Sequence, residues 1–86
     1  MSNAKPNNGM PLVFSLYEEL LASEHNAVAC ALTHLAGSKV VGDTLVIIYP
    51  AGSFFAEQLK GARAVMEEEL LRATKGSMRR MLVIQE

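Results

Sequence analysis

A single cysteine, Cys30, stands alone in this 86-residue chain. That excludes an intramolecular disulfide and any zinc site built on a cysteine pair, and it fits a reducing compartment. Long apolar runs are missing too. No stretch approaches the ~20 apolar residues that a membrane span needs, and no charged-then-apolar leader opens the chain. Charge of one sign is also scarce. The formal net charge is −1, which removes a global pull toward nucleic acid or anionic lipid. Neither GxxxxGK followed by Ser or Thr nor GxGxxG occurs, so there is no phosphate loop. Asp43 is the sole aspartate, and no carboxylate pair is placed for acid–base work.

What is present suits one small domain. Half of the residues are apolar. A domain of this size buries only ~60% of the surface its unfolded chain exposes, so its stability margin is thin. Met1 to Ala4 reads as the scar of a removed tag. Residues 5–10, with Pro6 and Gly9, read as linker. The domain is then expected over residues 11–86, as a piece of a longer parent.

The first helix is expected after Pro11, running to about Ala22. Phe14, Tyr17 and Leu21 share one side, with Val13, Leu16 and Leu20 beside them. A second helix, capped by Ser23 or Asn26, spans about Ala27 to Ala36 and stops at Gly37. Lys39 to Val41 and Thr44 to Tyr49 read as two strands joined at Gly42-Asp43 by a two-residue turn. That loop pairs Val41 with Thr44, Val40 with Leu45 and Lys39 with Val46. One face then carries Val40, Leu45, Ile47 and Tyr49, and the other Lys39, Val41, Thr44, Val46 and Ile48. Pro50 ends the strand. Ser53 caps a third helix, expected to run unbroken to about Thr74 on a stripe of Phe55, Leu59, Ala62, Met66 and Leu70, widened by Phe54 and Val65. Glu67, Glu68 and Glu69 read as a solvated face, with Glu68 paired to Arg72. A last strand spans Arg79 to Gln85, with Leu82 and Ile84 on one face and Met81, Val83 and Gln85 on the other.

The expected class is therefore α+β, in the order α-α-β-β-α-β, with a three-stranded sheet and all helices on one face. That packing leaves apolar residues on the uncovered side. Val46, Ile48, Met81 and Val83, rimmed by Arg79 and Arg80, are the candidate interface for a second copy or another protein. Lys75, Arg79 and Arg80 are candidate phosphate contacts, although solvated loop charges are the plainer reading. Cys30 and His34 lie four apart, but no third or fourth ligand accompanies them, and no orienting group completes a nucleophile. The outline is similar to KH modules, which clamp nucleic acid through a GxxG loop between helices. Residues 22–26 here, Ala-Ser-Glu-His-Asn, contain no glycine.

These segments together resemble the C-terminal domain of the bacterial DNA polymerase III gamma/tau subunit, the clamp loader. The resemblance rests on Phe14 opening the first helix, the small-residue helix from Ala27 to Leu35, GDTLVIIYP at Gly42 to Pro50, FFAEQLK at Phe54 to Lys60, MEEELL at Met66 to Leu71, and the closing strand Met81 to Ile84. It covers nearly all of Pro11 to Glu86. The same order also resembles the N-terminal domain of the bacterial replication initiator, which contacts helicase and regulators. Both families use a pseudo-KH fold for protein contacts. The resemblance implies a non-catalytic, cytoplasmic interaction domain without cofactor, with ATPase activity elsewhere in the parent. Its implied partners are replisome proteins, either the polymerase catalytic subunit or the replicative helicase. No binding motif for either is matched residue by residue.

Overall fold

The computed structural model describes residues 9–86; the expected tag scar and most of the expected linker lie outside the described residues. Four helices and three strands follow in order: α1 Met10–Ala22, α2 Asn26–Leu32, β1 Gly37–Val41, β2 Thr44–Tyr49, α3 Phe54–Gly61, α4 Arg63–Ala73 and β3 Arg80–Gln85. This is the expected α+β class, with the long crossover helix divided in two.

The sheet order is β1-β2-β3. β1 and β2 pair antiparallel in the register read from the hairpin, Val41 with Thr44 through to Lys39 with Val46. Gly42 takes φ +63° at the first turn position, where its missing Cβ removes the steric penalty. β3 joins the far edge of β2 in parallel. Parallel neighbours need a long crossover, and α3 with α4 supplies it.

Parity then decides the two faces. Val40, Leu45, Ile47, Tyr49, Met81 and Val83 turn toward the helices and enter the core with Leu16, Leu20, Leu59, Met66 and Leu70. α1 packs on α4, α2 and β1, while α3 and α4 pack on β3. The molecule measures 39 × 32 × 17 Å, the thickness of one sheet and one helix layer. The Tyr49 hydroxyl donates to the carbonyl of Ala31 and ties the central strand to α2. Burial raises the phenol's pKa above its ordinary value.

Several expected boundaries move. Met10 already belongs to α1, and Gly9, expected as linker, is buried. A Cβ on Gly9 would come 2.9 Å from Leu45 Cδ1, so glycine permits this close approach. The buried stripe of α1 is Val13, Leu16 and Leu20, whereas Phe14 and Leu21 are exposed. α2 ends at Leu32 and Gly37 starts β1, because residues 33–36 turn back to bring the Ala36 N–H onto Ile48 O at 2.7 Å. Its N-cap is His25, with no side-chain cap; neither Ser23 nor Asn26 serves. Ser53 does cap α3, accepting from the Ala56 N–H at 3.4 Å.

The unbroken third helix is not formed. Ala62, at φ −106° and ψ 18°, leaves the helical region and separates α3 from α4. Gly61 precedes it, the weakest helix former after proline, and the Ala62 N–H reaches only to Leu59 O, at 3.0 Å. The stripe survives the break, since Leu59, Met66 and Leu70 are all buried, but Phe54 is exposed rather than part of it.

Candidate functional site

The uncovered side of the sheet is built by alternation. In the central row Lys39, Val46 and Leu82 stand side by side; Val41, Thr44 and Arg80 form the row on one side, and Gly37, Ile48 and Ile84 that on the other. None of these is in the helix-facing core cluster. Val46, enclosed by its neighbours at the middle of the central strand, is only 4% exposed. Leu82 is 44% exposed and Val41 57%, while Ile48 and Ile84 are half-buried. Lys39 and Arg80 border the patch and are exposed.

This corrects the expected site. Val46 and Ile48 do lie on the outer face, but Met81 and Val83 do not. The parallel register places Leu82 opposite Val46 and Ile84 opposite Ile48, and adjacent residues of a strand point to opposite sides. Met81 and Val83 are therefore buried beneath the helices. The alternation was visible in RRMLVIQ; the edge and direction of pairing, which decide which parity faces out, were not.

Arg79 and Arg80 both donate backbone N–H groups to Asp43 O, at 3.0 and 3.2 Å. The hairpin turn thus holds the start of β3, and both guanidinium side chains stay exposed. Lys75 is exposed at the end of α4 with φ +55°. Lys75 and Arg79 thus lie in the loop after α4 and Arg80 opens β3, with Arg79 and Arg80 held at the hairpin turn. Among the described residues, ion pairs are formed on α3 and α4 instead: Lys60–Glu57, Arg63–Glu67 and Arg72 with both Glu68 and Glu69.

The glutamate run is not the uniformly solvated face expected. Glu69 is 4% exposed, accepting from Arg72 at 2.8 Å and from the Ser23 hydroxyl at 3.2 Å. Glu67 reaches the edge of β3 and accepts the Met81 backbone N–H. That bond first, and Arg63 and Arg80 after it, hold its carboxyl below the ordinary glutamate value against the opposing effect of desolvation. Of the three only Glu68 is exposed, paired with Arg72 as read from its spacing.

Cys30 is exposed on α2. His34 lies beyond the end of that helix and stacks on Phe55, with ring centroids 4.0 Å apart and planes 2° apart. No group of three or more metal-binding side chains occurs among the described residues, and no described helix is long and apolar enough to cross a membrane.

No family model matches the chain, and neither a curated protein nor a solved structure does.

Proposed function

We propose that this chain is a non-catalytic protein-interaction domain of the gamma/tau clamp-loader kind, tethering replisome proteins during bacterial DNA replication. The observation that carries the reading is the outer sheet face. Leu82 stands exposed in the central row, next to the row of Ile48 and Ile84, with Val41 exposed in the row on the other side, while the helices pack on the opposite face. An apolar centre bordered by Lys39 and Arg80 has the anatomy of a protein contact site. The sequence resemblance supplies the class of partner, the polymerase catalytic subunit or the replicative helicase. Tethering would act by raising the local concentration of that partner at the fork. An initiator-type domain would use the same face toward helicase or regulators.

The test is direct binding of the purified chain to a bacterial replicative polymerase catalytic subunit and to a replicative helicase. One of them binds, and Leu82→Glu weakens binding by about tenfold or more, the loss expected of an interface centre. Binding by neither, or binding indifferent to Leu82→Glu, defeats the reading.

The exposed Lys75 and Arg79 of the loop, with Arg80 at the start of β3, support a second reading, weak contact with single-stranded nucleic acid. Phosphate contact must weaken steeply as salt rises. A fluorescent oligonucleotide whose binding does not change between low and physiological salt would remove it.

A further inference from the structure

Between α1 and the segment that leaves α2 lies an open cleft of about 400 Å³. Its lining is Met10, Val13, Phe14, Tyr17, Leu32 and Leu35, with Thr33 at its margin. This volume falls within the ~300–1,000 Å³ typical of ligand pockets, and it exceeds the ~30 Å³ share of one water molecule many times over. Phe14 is 65% exposed on the wall, and Leu21, one turn beyond Tyr17, is exposed as well. α1 is thus apolar on two adjacent sides. Val13, Leu16 and Leu20 pack inward, while Phe14 and Tyr17 line the cleft.

Charge singles out the same region. From Gly9 to Ser38 the chain contains Glu18, Glu19 and Glu24 and no lysine or arginine. Glu18 and Glu24 are exposed. The ion pairs of the described residues lie on α3 and α4 and involve none of these three. Glu18, one helical turn beyond Phe14 on α1, is thus an exposed carboxylate next to the apolar wall that forms no ion pair among the described residues. A segment seated along that wall encounters apolar surface in the middle and negative charge at the flank.

From this pairing we infer that the cleft is a second docking site, for an amphipathic helix of a partner protein that presents aliphatic side chains on one face and Lys or Arg beside them. Such a helix lays its apolar residues in a groove at i, i+3, i+4 and i+7 spacing, and its basic flank complements Glu18. The inference rests on the reading of the chain as an interaction domain, but not on the outer sheet face, which belongs to different strands and the other side of the sheet.

The probe is a synthetic peptide of about 18 residues, long enough to form a helix, with Leu at the groove spacing and Lys elsewhere. Two controls accompany it: the same Leu pattern with Glu in place of Lys, and a scrambled Lys peptide. Binding is followed by amide shifts of the isotopically labelled full chain. The Lys peptide shifts residues 10–17 and 32–35 and binds at least ~tenfold more tightly than either control, a margin that charge complementarity and anchor placement supply together. Phe14→Ser removes that preference, and Glu18→Lys reduces it while leaving the apolar lining intact. Circular dichroism checks that each variant is folded, and Glu18→Lys decides the matter should Phe14→Ser not fold. Absence of binding, equal binding of the controls, or shifts confined to residues 44–48 and 80–84 overturns the cleft. A dimer that Phe14→Ser dissociates, with no response to peptide, also overturns it by making a second copy the occupant. Leu82→Glu leaves the Lys peptide unaffected, so loss of replisome binding in that variant and loss of peptide binding in Phe14→Ser report on separate claims.

Discussion

The carboxylate of Glu67 accepts the backbone N–H of Met81 at 2.9 Å. The contact joins α4 to the edge strand of the sheet. Because Glu86 N–H donates to Tyr49 O, the even-numbered residues of β3 direct their backbone groups to β2, and Met81 directs its own outward. Glu67 therefore occupies a donor on the open edge. A charged group at that position also discourages another strand from adding there, which unpaired edges otherwise invite.

Removing this contact with Glu67→Ala is expected to cost about 1 kcal/mol, the net worth of an ordinary hydrogen bond, measured by urea unfolding at neutral pH. The folded-state pKa of Glu67 lies below the ordinary value. The folded state therefore binds fewer protons than the unfolded chain in that range. The stabilisation is complete above the ordinary glutamate pKa of ~4.3 and is lost as pH falls through and below it. Glu67→Gln should flatten that acid limb of the stability profile. An unchanged limb would show that the carboxylate does not contribute.

Glu69 and Glu68 are neighbours with opposite expected sensitivities. Glu69 is buried and joins Arg72 of its own helix to Ser23 at the end of α1. Glu69→Ala should cost about 1.5–3 kcal/mol, the worth of hydrogen bonds to a charged group, since the Ser23 hydroxyl loses its acceptor and Arg72 keeps Glu68 alone. The exposed Glu68–Arg72 pair is worth about 0.5 kcal/mol or less, so Glu68→Ala should barely move the unfolding midpoint. Equal effects of the two variants would contradict the burial of Glu69.

Two helix ends carry non-glycine residues in the left-handed region, Glu24 at φ +63° and Lys75 at φ +55°. Both ends have the same paired closure. His25 N–H bonds Leu20 O and Glu24 N–H bonds Leu21 O; Gly76 N–H bonds Leu71 O and Lys75 N–H bonds Arg72 O. Glycine is the residue this closure favours. Glu24→Gly and Lys75→Gly should each stabilise the fold by about 0.5–1 kcal/mol in thermal unfolding. A loss of stability in either would mean that its side chain makes a contact worth more than the strain.

Adjacent residues of β3 test the orientation of the sheet. Met81 is fully buried and Leu82 is not. Met81→Glu should abolish the cooperative unfolding transition, because an unpaired charge would enter the core. Leu82→Glu should stay folded, within about 0.5 kcal/mol of the parent as for other surface changes. The reverse result would place β3 in the other parity.

The hairpin and its faces were legible in the sequence because their determinants are local. Gly42-Asp43 sets the turn, and once the turn is placed, the register of Val41 with Thr44 and the inward set of Leu45, Ile47 and Tyr49 follow from two-residue alternation. Ser53 at the start of α3 is local in the same sense. The buried positions of α1 were harder to read. That helix has two apolar sides, and periodicity alone gives no preference between Val13–Leu16–Leu20 and Phe14–Tyr17–Leu21.

By itself, then, the sequence determined the α+β class, the hairpin, the strand and helix order, and the absence of a disulfide framework or phosphate loop. Tertiary structure decided which edge β3 joins, which parity of that strand faces out, where the crossover helix breaks, and which glutamates of a charged run are buried. The physical reason is range. Turn and cap preferences act between residues a few positions apart, whereas the Ser23–Glu69 bond spans 46 positions and the Glu67–Met81 bond spans 14. Such contacts exist only once packing has brought distant segments together, and the same packing put Leu82, not Met81, on the open face.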